Sequence, residues 1–94
     1  MIHVLAEVCV AEVDRFLEAF VAGGKSIRTR HGCVKSTVFR TQNPQILTIL
    51  FAWSSREDFV AFTEDPLAQE SMRAAGTLPP PQFTYLDRAL EIDG

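Results

Sequence analysis

Residues 45–53 read QILTILFAW, and this stretch is the strongest indicator of the fold. It is rich in β-branched and aromatic residues and follows a Thr-Gln-Asn-Pro turn, so it predicts a β-strand. Neither face of that strand is polar, which is typical of a strand in the middle of a sheet that is covered on both sides. One face carries Leu47, Ile49, Phe51 and Trp53, and the other carries Ile46, Thr48, Leu50 and Ala52.

Three further elements are predicted before this strand. Residues 2–10 form an apolar, β-branched run that predicts a first strand. Apolar residues then recur at helical spacing over residues 11–30, which predicts a helix that Gly23 and Gly24 weaken. Gly32 is expected to end that helix because glycine readily adopts positive φ. Residues 33–40 predict the second strand.

The segment after the strand carries two helix-start signals. Ser54 is followed three residues later by Glu57, the spacing of a capping box, which predicts a short helix directly after the strand. Asp65 and Pro66 predict that a helix restarts there, with Asp65 as the N-cap, and continues to Gly76.

The Leu78-Pro79-Pro80-Pro81 segment excludes helix and central strand, and residues 82–92 predict the last strand. The predicted order is β-α-β-β-α-β, an α+β domain of ferredoxin-like topology. Right-handed crossovers place both helices on one face of a four-stranded antiparallel sheet. The other face is left bare without being polar, so we expect a homodimer through the sheet face.

Composition limits the classes of protein. The chain has 94 residues, which fit one domain spanning residues 1–94, and 47% of them are apolar. Its net charge is −3, whereas nucleic-acid-binding domains usually carry a basic patch, so we expect no nucleic-acid partner. No apolar run reaches the roughly 18 residues of a membrane span, and no secretory signal is present. We therefore expect a cytoplasmic protein with no membrane partner, and we expect Cys9 and Cys33 to be reduced, buried thiols.

Three short segments carry a family resemblance. They are Arg30-His31-Gly32-Cys33 at the end of the first helix, Phe51-Ala52-Trp53-Ser54-Ser55 at the end of the third strand, and Asp65-Pro66-Leu67. In these segments the chain resembles the antibiotic-biosynthesis-monooxygenase-like domains of the dimeric α/β-barrel superfamily. The resemblance implies two sheets paired face to face in a barrel. It also implies kinship with cofactor-free oxygenases of polycyclic phenols, with haem-degrading enzymes and with domains that have no assigned activity.

Departures from the family pattern argue against haem breakdown. Many members of the family carry a His nine or ten residues after the Trp, where this chain has Phe62 and Thr63. The Asn that haem-degrading relatives use on the first strand corresponds to about Val8. Only Trp53 is left of that set, so we expect no haem turnover.

The candidate site is aromatic. Its residues are either core packing or the lining of a ligand pocket between the sheet and the helices, which would suit a flat apolar molecule. The candidate ligand-pocket residues are Trp53, Phe51, Phe62, Phe59, Phe20 and Phe16. His31 lies at a helix end, where a structural role is favoured over catalysis, and His3 pairs at most loosely with Glu7. The His31-x-Cys33 pair offers too few ligands for a metal site, so we expect no metal.

Two functions follow as alternatives. The resemblance implies a cofactor-independent monooxygenase that acts as a homodimer on a small hydrophobic or aromatic molecule, with no cofactor and with an unidentified catalytic base. A dry pocket that orients a ring suits such chemistry, because a deprotonated substrate supplies its own electrons to oxygen. The alternative is a non-catalytic small-ligand-binding or stress-associated dimer of the same fold.

Overall fold

The computed structural model describes residues 1–78 and 80–94. Its elements are, in order, β1 (Ile2–Cys9), α1 (Val13–Ala22), α2 (Gly24–Arg30), β2 (Cys33–Arg40), β3 (Ile46–Trp53), α3 (Arg56–Glu64), α4 (Pro66–Ala74) and β4 (Gln82–Leu86). In the predicted proline-rich connection, Leu78, Pro80 and Pro81 lie outside helices and strands, and Pro79 lies outside the described residues.

The four strands form one antiparallel sheet in the order β2-β3-β1-β4. This confirms the predicted ferredoxin-like α+β fold, and it places the apolar β3 between β2 and β1. Leu50 of β3 pairs with Leu5 of β1 on one side and with Thr37 of β2 on the other. Leu50 therefore lies near the centre of the sheet.

The two faces of the sheet differ in what covers them. The helices pack on the face whose buried side chains are Val4, Ala6, Val8, Leu47, Ile49, Phe51 and Trp53. The opposite face carries Leu5, Leu50, Phe39, Ile46 and Leu86, interspersed with Thr37, Thr48, Thr84 and Glu7. No helix among the described residues covers that face. It is more mixed than the β3 sequence alone suggested, because its neighbouring strands contribute threonines and a carboxylate.

The first predicted helix is in fact two helices. A single helix over residues 11–30 was expected, but α1 ends at Ala22 and α2 starts at Gly24. Gly23 keeps a helical backbone, but the Ser26 hydroxyl donates to its carbonyl at 3.2 Å. Such side-chain bonds compete with the helical ladder, and the two glycines add no side-chain packing to resist a break. The break lies two residues after Phe20, one of the candidate ligand-pocket residues.

The helix starts after β3 follow local capping chemistry, with one correction. Ser55, rather than Ser54, is the N-cap of α3, and its hydroxyl accepts from the Asp58 N–H at 3.1 Å. Ser54 instead donates its hydroxyl to the Asp58 carboxylate. Asp65 is the N-cap of α4, as predicted, and its carboxylate accepts from the Leu67 N–H at 2.8 Å with Pro66 in the first turn.

The last strand is shorter than predicted. It was expected over residues 82–92, but β4 ends at Leu86. In the observed register Leu86 pairs with His3, and β1 itself begins at Ile2. Residues beyond Leu86 therefore find almost no neighbouring strand, and Leu90 and Ile92 stay exposed despite their strand propensity.

Candidate ligand-binding site

An apolar cavity of about 60 Å³ lies between the helix-covered face of the sheet and the helices. Its strand side is formed by Ala6, Val8, Ile49, Phe51 and Phe83. Its helix side is formed by Phe16, Ala19, Phe20, Ile27, Phe62, Ala68, Met72 and Ala75. The walls supply few hydrogen-bonding groups, so the cavity suits a hydrocarbon surface.

Four of the predicted pocket residues line this cavity, namely Phe16, Phe20, Phe51 and Phe62. The Phe16 and Phe20 ring centroids are 5.6 Å apart, and those of Phe20 and Phe51 are 6.3 Å apart. Both separations fall in the range of favourable aromatic pairs, about 4.5–7 Å. The rings are tilted relative to one another, so they present both faces and edges to the cavity.

Trp53 and Phe59 do not line the cavity. Trp53 is 0% exposed, and its indole lies 5.0 Å from the Phe62 ring and 5.4 Å from the Phe59 ring. It shares a strand face with Phe51 but lies two residues further along β3, a step of roughly 7 Å. Helix α3 packs over that end of the strand, so Trp53 lies one layer behind the cavity wall.

Two buried polar atoms have no hydrogen-bond partner among the described residues, Trp53 Nε1 and Thr77 Oγ1. A buried donor or acceptor left without a partner costs about 1–3 kcal/mol. Thr77 lines the cavity, as does Ser71, so hydroxyl groups are available to a bound molecule there. Trp53 does not line the cavity, so its indole N–H is not among these groups.

Arg28 is the only titratable residue that lines the cavity in the described part of the chain. It is 7% exposed, its Nη2 donates to the Phe20 carbonyl at 2.8 Å, and its Cζ lies 3.5 Å from the centre of the Phe20 ring. Burial lowers the pKa of Arg28 from its ordinary value, an effect that the nearby Cys33 partly offsets. Arginine is not deprotonated in folded proteins, so a positive charge borders the cavity.

Arg28 was not among the candidate site residues predicted from the sequence. The available signal is the spacing of Phe20, Gly24 and Arg28, at i, i+4 and i+8 on the helix face that carries the aromatic residues. A Cβ on Gly24 would lie 2.7 Å from Arg28 Nη1. The missing side chain therefore makes the space in which the guanidinium lies.

The two histidines lie away from the cavity. His31 caps the end of α2, and its Nε2 lies 2.7 Å from Asp65 Oδ2 at the start of α4. That hydrogen bond, together with the one from the Leu67 N–H, lowers the pKa of the Asp65 carboxyl. His3 lies on the uncovered face of the sheet, in register with Leu86 and Ala52. This arrangement gives His31 a structural contact between helices.

Cys9 and Cys33 are free, and each is half-buried rather than fully buried as expected. Cys9 lies on the uncovered sheet face and Cys33 opens β2, so neither is enclosed by the core. In residues 1–78 and 80–94, no three His, Cys, Asp or Glu side chains gather as metal ligands would. No helix in the same residues combines the length and apolarity needed to cross a bilayer.

The fold and the cavity define a small domain of ferredoxin-like topology with an aromatic-lined cavity between its sheet and its helices. Residues 1–74 match the family model described as antibiotic biosynthesis monooxygenase. The chain therefore belongs to the antibiotic biosynthesis monooxygenase family, as its short sequence motifs predicted.

Solved structures share this fold at low sequence identity. SnoaB, a cofactor-independent oxygenase from Streptomyces nogalater, aligns with a TM-score of 0.78 and 14% identity over 99% of this chain and 97% of its own. A putative antibiotic biosynthesis monooxygenase from Bordetella bronchiseptica aligns with a TM-score of 0.75 and 24% identity over 95% and 97%. A putative antibiotic biosynthesis monooxygenase from Caulobacter crescentus CB15 aligns with a TM-score of 0.73 and 18% identity over 95% of this chain and 90% of its own. No curated protein matches the chain.

Proposed function

We propose that the protein is a cofactor-independent monooxygenase that acts on a small aromatic molecule in the cavity between sheet and helices. The observation that carries this proposal is the cavity itself, with five phenylalanine rings on its walls and few polar groups. Membership of the family and the shared fold with SnoaB, a cofactor-independent oxygenase, support the reaction type.

The cavity walls supply orientation and exclusion of water. A flat substrate stacks against Phe16, Phe20, Phe51 and Phe62, and offset stacking contributes about 0.5–1.5 kcal/mol per pair beyond burial. A deprotonated ring then gives electrons to oxygen, so that one oxygen atom enters the ring as a carbonyl and the other leaves as water. Holding the two reactants in a dry, fixed geometry is what the protein contributes.

The cavity must expand to hold such a substrate. Its volume is about 60 Å³, whereas an engineered protein cavity that binds benzene measures about 150 Å³. Phe20 and Met72 are the lining residues best placed to move, because both are only half-buried and methionine is unbranched and adaptable. Without such movement the cavity is too small for an aromatic ring.

We propose that the working unit is a homodimer that buries the uncovered face of the sheet. Leu5, Leu50 and Phe39 lie on that face, and Phe39 is 50% exposed in the single chain. Exposed apolar surface of this kind marks protein interfaces, and a twofold pair would place each sheet against its copy. The cavity lies on the other face of the sheet, so dimerisation would leave it intact.

We place the protein in the cytoplasm, as its sequence led us to expect. Its two thiols are free and partly accessible at Cys9 and Cys33. Thiols in such positions persist in a reducing compartment and are prone to pair in an oxidising one.

The alternative function is that of a non-catalytic or stress-associated dimer that binds the same class of small molecule. One observation favours it: in the described residues no carboxylate, imidazole or thiol lines the cavity to accept a proton from a substrate. A catalytic base near neutral pH is normally one of these groups.

Oxygen uptake with a hydroxylated tricyclic compound separates the two functions. The test compares the wild-type protein with Ala19→Leu, which fills the cavity, and with Ala22→Leu, the same change on the exposed side of α1. We expect oxygen uptake and quinone formation by the wild type and by Ala22→Leu, and loss of both in Ala19→Leu. Saturable quenching of Trp53 fluorescence without oxygen uptake would establish the binding protein instead. The absence of both fluorescence quenching and oxygen uptake would refute both functions.

A further inference from the structure

A surface groove of about 320 Å³ adjoins the cavity. Two residues, Phe20 and Arg28, line both the groove and the cavity. The stacked Phe20 ring and Arg28 guanidinium therefore form the partition between a buried apolar space and an open one. The half-buried Phe20 ring thus contributes to the walls of both spaces.

The groove is cationic. Lys25, Arg28 and Lys35 line it, and no Asp or Glu does so in the described part of the chain. No carboxylate oxygen in residues 1–78 and 80–94 lies within 4.0 Å of the Arg28 guanidinium. A buried charge without a counter-ion is costly, and buried cations in proteins are normally paired.

The position of the guanidinium is fixed by its surroundings. It donates to the Phe20 carbonyl at 2.8 Å and stacks on the Phe20 ring, and both contacts are to neutral groups. Gly24 leaves the space for Nη1, because a Cβ there would lie 2.7 Å from it. A glycine, a carbonyl and a ring thus hold a positive charge without a carboxylate partner at the boundary between groove and cavity, and the Cys33 thiol, which also lines the groove, only partly offsets its burial.

We propose that cavity and groove form one binding site for an aromatic oxyanion, with the ring in the apolar cavity and the negatively charged oxygen at Arg28. This inference rests on the proposed function and adds a specificity-determining residue to it, because Arg28 selects the ionised form of the aromatic ligand. The anion approaches through the groove, where Lys25 and Lys35 raise its local concentration, and it supplies the counter-charge that Arg28 lacks. Binding the anion in preference to the neutral phenol produces the electron-rich form that reacts with oxygen.

The test is a titration of 4-nitrophenol, whose phenolate is coloured, in the presence of the wild-type protein. We expect the apparent pKa of the bound phenol to fall by about one unit or more, which corresponds to about tenfold tighter binding of the phenolate than of the phenol. Arg28→Met should abolish this shift, and Arg28→Lys should retain most of it. Benzoate and benzamide, which share one shape and differ in charge, form a second arm. Preference for benzoate together with the nitrophenol shift indicates a general oxyanion site, and the shift alone indicates phenolate selectivity.

A second variant keeps the test decisive, because Arg28→Met also removes the hydrogen bond to Phe20. Gly24→Ala moves the guanidinium without removing it, and Gly23→Ala is its control, since no atom lies within 4 Å of a Cβ there. We expect Gly24→Ala to reduce the pKa shift and Gly23→Ala to leave it unchanged. An unchanged shift in both Arg28→Met and Gly24→Ala, or no shift in the wild type, overturns the inference. If the inference fails but the protein takes up oxygen, the proposed monooxygenase function still stands. If the pKa shift depends on Arg28 but the protein takes up no oxygen, the anion site stands and the monooxygenase function does not.

Discussion

Gly32→Ala tests the connection between α2 and β2, which is hydrogen-bonded to Ser54, the residue after β3. Gly32 has φ of +96°, and its carbonyl accepts from the Ser54 N–H at 2.9 Å. Positive φ costs an alanine about 1–2 kcal/mol. The new Cβ would also overlap Ser54 Oγ and lie 3.0 Å from Asp58 Oδ2, so it displaces the hydroxyl from that carboxylate. Losing one hydrogen bond adds about 0.5–1.5 kcal/mol.

The expected loss is therefore about 2–3 kcal/mol, and each kcal/mol lowers Tm by about 4–8 °C in a domain of this size. Thermal and urea unfolding at one fixed protein concentration measure it, because a dimer's Tm depends on concentration. Gly23→Ala is the matched control: Gly23 has φ of −87° and open space, so alanine there should be neutral or stabilise by up to about 1 kcal/mol. Equal stability of the two variants would refute the reasoning. In the double variant Gly32→Ala/Ser54→Ala, only the part of the stability loss that comes from overlap with the Ser54 hydroxyl should be restored.

Two further predictions concern pH and assembly. Hydrogen bonds from His31 and from the Leu67 N–H lower the pKa of Asp65, so its ionised form stabilises the fold above its ordinary pKa of about 3.9, and that stability is lost as pH falls through the lowered value. Asp65→Asn keeps a capping oxygen, so its Tm should lie below that of the wild type at pH 6 and converge with it under acid; a constant difference would contradict this. Leu50→Lys should convert a dimer of 10.5 kDa chains into monomers or unfold the chain, while Leu90→Lys on the exposed tail should not; light scattering showing a wild-type monomer would remove the dimer proposal.

Most of the fold could be predicted because its signals are local. The stretch 45–53 is apolar on both faces, and it became the inner strand β3. The Asp65-Pro66 pair combines a capping carboxylate with a residue that lacks an N–H, at a helix position where none is needed. It starts α4 as predicted. Gly32 takes the positive φ that ends a helix. Each of these features depends on one residue's own chemistry or on the alternation along one strand.

The errors arise where several local preferences compete. Ser54 and Ser55 are both good N-caps, and the choice between them depends on tertiary contacts. The Ser54 hydroxyl donates to the Asp58 carboxylate, whereas the Ser55 hydroxyl accepts from the Asp58 N–H and caps α3. The predicted strand over residues 82–92 had suitable residues, but in the observed register Leu86 already pairs with His3, and β1 begins at Ile2. The pattern along either strand does not give this register, so it could not show where the pairing ends.

The sequence predicted which face of the sheet carries the aromatic residues of the candidate site, but not which of them line the cavity. Phe51 and Trp53 alternate onto the helix-covered side of β3, as the pattern requires. Their different positions relative to the cavity depend on where α3 crosses the strand, since Phe59 and Phe62 pack against the indole and close that end. Periodicity gives the side of the sheet and leaves the packing along it undetermined.

The charge of the site was missed for a related reason. Arg28 and Arg30 lie close in the sequence, but two residues rotate a helix by about 200°, so the two side chains leave α2 on opposite sides. Arg28 is 7% exposed, whereas the side chain of Arg30 is 59% exposed and lies 3.5 Å from Asp65. The buried position exists because Gly24 provides the space for the guanidinium and because the Phe20 carbonyl accepts a hydrogen bond from it. A cation at the cavity therefore follows from the missing side chain at Gly24, and the same glycine that weakens the first helix leaves room for the charge that an anionic ligand would need.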